Sequence, residues 1–161
     1  MNNLSDLHKY LKYNPSTGII HWIALTKTGE SVNKPAGSLH TTGYINIWFK
    51  ANSYRAHRLA YFLTYGYIPK QIDHINGIRD DNRLINLRPA TSLMNTKNTK
   101  KYKSNTTGVM GIHISKNKRW EVRISNNNKR ISLGTYTDFF EACCARKSAE
   151  LKYGFHTNHG R

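Results

Sequence analysis

Three residues, Asp73, His74 and Asn95, have the side chains that metal-assisted hydrolysis of a phosphodiester requires. They sit in a polar stretch: Ile72-Asp73-His74-Ile75-Asn76-Gly77, then Asp80-Asp81-Asn82, then Asn86-Leu87-Arg88, Asn95 and Asn98. A hard divalent cation takes oxygen ligands from a carboxylate or an amide. A water nucleophile needs a base that titrates near neutrality, which is imidazole. The departing oxygen needs positive charge, which a cation supplies. Consecutive residues of a strand point to opposite faces, so Asp73 and His74 can serve one phosphate only where the strand ends or bends. Taken singly, these residues read more plainly. An Asp-His pair is an ordinary surface turn, and Asn86 and Asn95 are ordinary turn or capping residues. His57 is expected either to pack or to brace a phosphate.

The elements that must position this group follow from periodicity. Leu4, Leu7 and Leu11 share helical spacing, which predicts a helix over Leu4–Tyr13. Asn14-Pro15-Ser16-Thr17-Gly18 is a turn signal, and Ile19–Ile23 reads as a strand. Lys27–Gly37 is polar and reads as a loop. Gly43–Lys50 and Ser53–Ala56 read as a hairpin around Ala51-Asn52. His57–Tyr65 carries Leu59, Phe62 and Leu63 as a helical stripe ended by Gly66. Gln71–His74 and Leu84–Arg88 read as short strands, and Thr91–Asn98 as a capped helix. Thr96–Asn105 then holds four lysines and no acid, a basic linker. Gly108–Ser115, Arg119–Ser125 and Lys129–Tyr136 alternate as three strands, with Asn126-Asn127-Asn128 as a turn. Asp138–Tyr153 reads as an amphipathic helix.

Composition narrows the partner. The chain has 161 residues, with 25 Lys plus Arg against 9 Asp plus Glu, a net charge of +16. Such an excess favours an anionic polymer. Hydrophobic residues at 38% suffice for small cores and argue against wholesale disorder. The two cysteines, Cys143 and Cys144, are neighbours, which excludes a disulfide scaffold and a four-cysteine zinc site. They are expected to pack, in a reducing compartment. No apolar run is long enough to span a membrane, and Met1–Tyr13 lacks the apolar core of a signal peptide. A cytoplasmic location is therefore expected.

In order and spacing, the polar stretch resembles the ββα-metal finger of HNH endonucleases. Asp73-His74 is followed by Asn86 twelve residues after His74 and by Asn95 nine residues later. Ala56-His57-Arg58-Leu59-Ala60, Ile72 to Gly77, Asp81-Asn82 and Asn86-Leu87-Arg88-Pro89-Ala90-Thr91 match its phage and homing-type branch. The resemblance covers roughly Tyr13 to Asn98. It implies His74 as general base, Asp73 and Asn95 as metal ligands, and Asn86 as the brace of the loop that orients His74. The third letter of the family name is Asn95 here rather than His, which favours Mg²⁺ (or Mn²⁺), one ion per site. Asn98 is a rival for Asn95, since both lie near one helical face.

Gly108–Gly154 resembles a second family, the APETALA-two/ethylene-response-factor DNA-binding domain. The matching words are Thr107-Gly108-Val109, Gly111-Ile112, Lys118-Arg119-Trp120, Val122-Arg123-Ile124, Ile131 to Tyr136 and the helix with Glu141-Ala142 and Ala145. The resemblance implies a three-stranded antiparallel sheet with one helix behind it. Alternation puts Trp120, Val122, Ile124, Ile131 and Leu133 against Ala142, Ala145 and Ala149. His113, Ser115, Glu121, Arg123, Ser125, Arg130 and Ser132 are left on an open face. In the family that face enters the major groove, where Arg reads guanine. Ser125 and Ser132 stand where Arg and Trp are usual, so the base preference should differ. Lys100, Lys101 and Lys103 of the linker are expected to contact phosphates.

Together these features predict an α+β chain with an HNH nuclease domain over 1–98, a basic linker over 99–105 and a DNA-binding domain over 106–161. The expected function is metal-dependent cleavage of double-stranded DNA by a monomer of homing or phage type. The alternatives are a non-catalytic DNA-binding regulator with a decayed nuclease half and a basic RNA- or ribosome-binding protein.

Overall fold

A computed structural model describes residues 4–24 and 32–161. The expected loop Lys27–Gly37 falls partly on residues 27–31, outside the described residues. The chain divides into two compact units, Met1–Ala90 and Thr91–Arg161.

In the first unit a short 3-10 turn leads into helix α1 (Leu7–Tyr10), and the chain then extends as strand β1 (Leu11–Tyr13). The helix predicted to reach Tyr13 therefore stops early. Leu7 and Leu11 both remain buried, but Leu11 is buried from a strand, because β1 pairs antiparallel with β2 (Ile20–Trp22). The Asn14–Gly18 turn closes this hairpin, with the Gly18 N–H donating to the Asn14 carbonyl at 2.9 Å.

Strands β3 (Ser38–Leu39), β4 (Ile45–Phe49) and β5 (Asn52–Arg55) form a second antiparallel sheet. The β4–β5 turn is Lys50-Ala51, one residue earlier than expected, and both residues have positive φ (47° and 61°). That two-residue turn matches the twist of the flanking strands and puts Phe49 into the core. Helix α2 (Ala56–Tyr65) buries Ala56, Leu59, Ala60 and Tyr61 and ends at Gly66 in the left-handed region. Strand β6 (Ile72–His74) pairs with β7 (Leu87–Pro89), and the segment expected to begin a strand at Leu84 is instead a 3-10 turn up to Asn86. The core joins Leu7, Leu11, Ile20, Trp22, Ile47, Phe49, Leu59 and Leu87.

The first hairpin holds the loop between β6 and β7. Tyr13 Oη donates to the Asn82 carbonyl at 2.7 Å, and the Leu84 N–H donates to the Pro15 carbonyl at 3.0 Å. Gly18 has φ +77°, and a Cβ there would lie 2.5 Å from Arg83 N and 2.7 Å from Asn82 C. Both are backbone atoms that cannot swing aside. Gly18→Ala is expected to destabilise the protein by about 2–4 kcal/mol, read as a lower urea midpoint at unchanged slope. A change below about 0.5 kcal/mol would mean that the hairpin does not press on this loop.

In the second unit Thr91 caps α3 (Ser92–Lys97), its Oγ1 accepting from the Met94 N–H at 3.2 Å. Strands β8 (Ile112–Ile114), β9 (Trp120–Asn126) and β10 (Lys129–Tyr136) form an antiparallel sheet in the order β10-β9-β8. The first of these is shorter than its predicted span. Asn127 and Asn128 turn at φ 50° and 61°, which asparagine tolerates. Helix α4 (Phe139–Lys152), capped by Asp138, packs on all three strands and buries Ala142 and Ala149. Cys143 packs at the edge of this core and Cys144 is exposed. Among the described residues no helix is long and apolar enough to cross a membrane.

Past α4, the chain folds back along α3 and the residues that follow it. The His156 N–H donates to the Lys97 carbonyl, Gly160 N–H to Thr99, and Lys101 N–H to Arg161. Lys97 Nζ in turn donates to the Tyr153 carbonyl. The start of the basic segment is thus fastened by main-chain bonds, which composition alone does not reveal.

Candidate active site and nucleic-acid face

His74 ends β6, and the chain turns at once: the Gly77 N–H donates to the His74 carbonyl at 2.8 Å, with Gly77 at φ 68°. Asn86 closes the following loop at both ends. Its Oδ1 accepts from the Asn76 N–H at 2.9 Å, and its Nδ2 donates to the Asp81 carbonyl at 2.8 Å. Its own carbonyl accepts from the Ile75 N–H at 2.9 Å. Asp81 adds a second tie, accepting from Asn76 Nδ2 at 2.7 Å and from Arg83 at 2.7 Å and 2.8 Å. The Arg83 guanidinium, helped by Asn76, holds the Asp81 carboxyl down at a pKa of about 2.

His74 is buried and lies against Asn82, with Nε2 3.2 Å from Asn82 Oδ1. With the amide oxygen as acceptor, Nε2 is the donor of this pair and Nδ1 is the basic nitrogen. Burial pushes the His74 pKa below the usual imidazole value. The Asn82 bond and the carboxylates of Asp73, Asp81 and Asp80 pull the other way without reversing the shift. A neutral imidazole at neutral pH results. Asn82, only 1% exposed, was visible in the sequence merely as part of the Asp81-Asn82 word. Its bond to His74 spans a loop and carries no periodic signal.

Asp73 accepts from Arg88 at 2.8 Å and 3.2 Å, across the β6–β7 pair. His57 sits on α2 with its ring 5.0 Å from that of His74 and 5.3 Å from that of Tyr44. It therefore packs, settling the two expectations for it in favour of burial. Desolvation, then His74, Arg55 and Arg58, push its pKa down to about 3.

The unfolded chain takes up a proton on His57 below about pH 6.5, and the folded chain resists doing so until about pH 3. Stability is therefore full above 6.5 and is lost as pH falls through that window. The expected loss is about 2 kcal/mol between pH 7 and pH 5. Urea titrations at the two pH values check it, and His57→Phe should flatten the difference. An unchanged pH dependence in that variant would rule out His57 as its source.

Asp73, His74 and Asn86 lie in the first unit, and Asn95 lies on α3 in the second. Asn98, its rival, is buried. Its Oδ1 accepts from Arg161 Nη1 at 3.0 Å, and its carbonyl accepts from the same guanidinium at 3.3 Å. Among the described residues no group of three or more His, Cys, Asp or Glu side chains converges as a metal site.

On the second unit's sheet, cross-strand register puts His113 beside Glu121, Arg123 beside Ser132, and Ser125 beside Arg130. His113, Arg123, Ser125, Arg130 and Ser132 are all exposed, as are Lys100, Lys101 and Lys103. Arg123 is tied to Glu121 on its own strand. His113, Arg123, Ser125 and Arg130 line a groove of about 500 Å³ together with Tyr102 and Thr107. Beneath it, buried Arg146 bonds Glu150 at 2.9 Å and donates to the Arg123 carbonyl.

Comparison with protein families places a match to the HNH endonuclease model on residues 54–97, from Tyr54 in β5 to Lys97 at the end of α3. The segment contains Asp73, His74, Asn82, Asn86 and Asn95. Among solved structures, that of the HNH homing endonuclease I-HmuI, reported for its DNA binding and cleavage, is similar at a TM-score of 0.42 and 21% identity. The alignment covers 92% of this chain and 88% of that one. No curated protein matches the chain.

Proposed function

We propose that the protein is an HNH-type DNA endonuclease that hydrolyses a phosphodiester bond in duplex DNA. One observation carries the proposal: inside the segment matched by the HNH endonuclease model, His74 ends a strand in a loop closed by Asn86, with its ring against Asn82. In this mechanism His74 Nδ1 takes a proton from the attacking water while Nε2–H stays bonded to Asn82. Asn86 keeps the loop rigid, so that the imidazole does not reorient between turnovers. The products carry 5′-phosphate and 3′-hydroxyl ends.

Asp73 and Asn95 would hold a hard divalent cation, Mg²⁺ or Mn²⁺, which when bound supplies positive charge at the departing 3′ oxygen. Their all-oxygen chemistry fits such an ion, and Arg88 orients the Asp73 carboxylate. Of the two asparagines Asn95 is the proposed ligand, and Asn98 binds Arg161.

In functional terms the nuclease half runs over 1–98, the basic linker over 99–105 and the DNA-binding half over 106–161. Helix α3 serves the nuclease half although its contacts group it with the second unit. Lys100, Lys101 and Lys103 contact phosphates, and His113, Arg123, Ser125, Arg130 and Ser132 face the bases. The protein acts as a monomer in the cytoplasm of its host, in a homing or phage-encoded setting. Incubating the purified chain with supercoiled plasmid and Mg²⁺ tests the proposal: nicked or linear product supports it, and intact plasmid under all divalent ions rejects it.

A further inference from the structure

Arg55 and Arg79 lie beside the His57–His74 pair and have no role in the mechanism above. Both are exposed. The Arg55 guanidinium carbon is 4.2 Å from the centre of the Tyr44 ring, and that of Arg79 is 5.1 Å from it. Tyr44 is also the ring next to His74, at 5.9 Å. Arg79 is fastened by a 2.8 Å bond from Nη1 to the Thr42 carbonyl, and Arg55 by its place at the end of β5.

Three of the first unit's acids have cationic partners, while Asp80, next to Arg79 in the chain, forms no ion pair among the described residues. Asp73 pairs with Arg88, Asp81 with Arg83, and Asp6 with Lys9 and Lys50. Among the described residues no carboxylate lies within ion-pairing distance of Arg55 or Arg79. A tyrosine face offsets about 0.5–1 kcal/mol of a cation's cost at an exposed site and cancels no charge. Two guanidiniums sharing one ring, beside the buried His74, form an anion seat at the edge of the candidate active site. Their planar donor forks suit phosphate oxygens.

The geometry points to Arg55 and Arg79 as a phosphate-binding pair, stacked on Tyr44, that grips the nucleic-acid backbone on the strand presented to His74. This rests on the nuclease proposal for the identity of the anion, and its test needs no cleavage. The full chain is titrated with a fluorescein-labelled mixed-sequence 20-bp duplex in EDTA over a range of salt. Arg55→Gln and Arg79→Gln keep a polar side chain, though a shorter one, and remove the charge. Each should reduce the slope of log K against log salt by about one, because one fewer phosphate is neutralised. Arg55→Lys and Arg79→Lys should keep the wild-type slope.

A local readout accompanies this. In the ¹³C-tyrosine-labelled chain, Tyr44 ring signals should shift on adding the duplex and stay put in the double Gln variant. Wild-type slopes in both Gln variants, or an unmoved Tyr44 signal in the wild type, would overturn the assignment. Intact plasmid with Mg²⁺ but a reduced slope in the Gln variants would reject the nuclease proposal and leave the phosphate seat standing.

Discussion

His74→Ala is expected to slow plasmid cleavage by roughly 10²–10⁴-fold while leaving duplex binding in EDTA unchanged. The size follows from the loss of a positioned general base. Binding is spared because His74 is buried and contributes no exposed cation. The protonation argument adds a second signature. An imidazole accepts a proton only when neutral, so the base is lost as pH falls through its pKa. Burial has moved that pKa below the ordinary value. The wild-type rate should therefore hold further into acid than a free imidazole would allow. Rates of nicking for wild type and variant across pH 5–8, alongside binding titrations, decide the matter. A His74→Ala rate within about threefold of wild type would remove His74 from the chemistry.

The next largest effect is expected at Asp73. EDTA should stop the wild-type enzyme, and Asp73→Ala should lose cleavage by at least about 10²-fold, since a bound cation is worth several kcal/mol of charge stabilisation. Asp73→Ala also strands Arg88, so Asp73→Asn is the companion variant: it keeps the shape and loses the charge. Both should fail to recover at high Mg²⁺ if the carboxylate is a ligand. Asn95→Ala should lose cleavage. Asn98→Ala should instead lower the urea midpoint, because it removes the acceptor of Arg161. Cleavage lost through Asn98 with Asn95 silent would transfer the ligand role to Asn98. Cleavage in EDTA at the wild-type rate would end the case for a metal.

The residues of the proposed site stand out by their order in the chain. Asp73-His74, Asn86 and Asn95 are spaced along one stretch of chain, and local turn chemistry around Gly77 and Asn86 carries its own signal. The strands and helices with clear alternation or stripes also emerged within a residue or two: α2 by its Leu59 stripe, β9 by Trp120, Val122 and Ile124, and α4 by its amphipathic pattern. Errors fell where a residue's burial was compatible with two geometries. Leu11 satisfies a helical stripe and a strand equally, and pairing with Trp22 decides for the strand.

Other features depend on partners far along the chain. The bond from Tyr13 to Asn82 joins residues 69 apart, and that from Arg161 to Asn98 joins residues 63 apart. Periodicity describes only what an element presents to its surroundings, so contacts at such separations leave no trace in local pattern. The sequence by itself determined the chemistry on offer: a carboxylate, an imidazole and amides at set spacing, on a chain with a large positive charge. Only the tertiary structure decided that His74 is buried against Asn82, that His57 is packed with its pKa pushed down, and that Arg55 and Arg79 share Tyr44. Each of these depends on desolvation or on an atom-to-atom approach, and both exist only once distant segments are packed together.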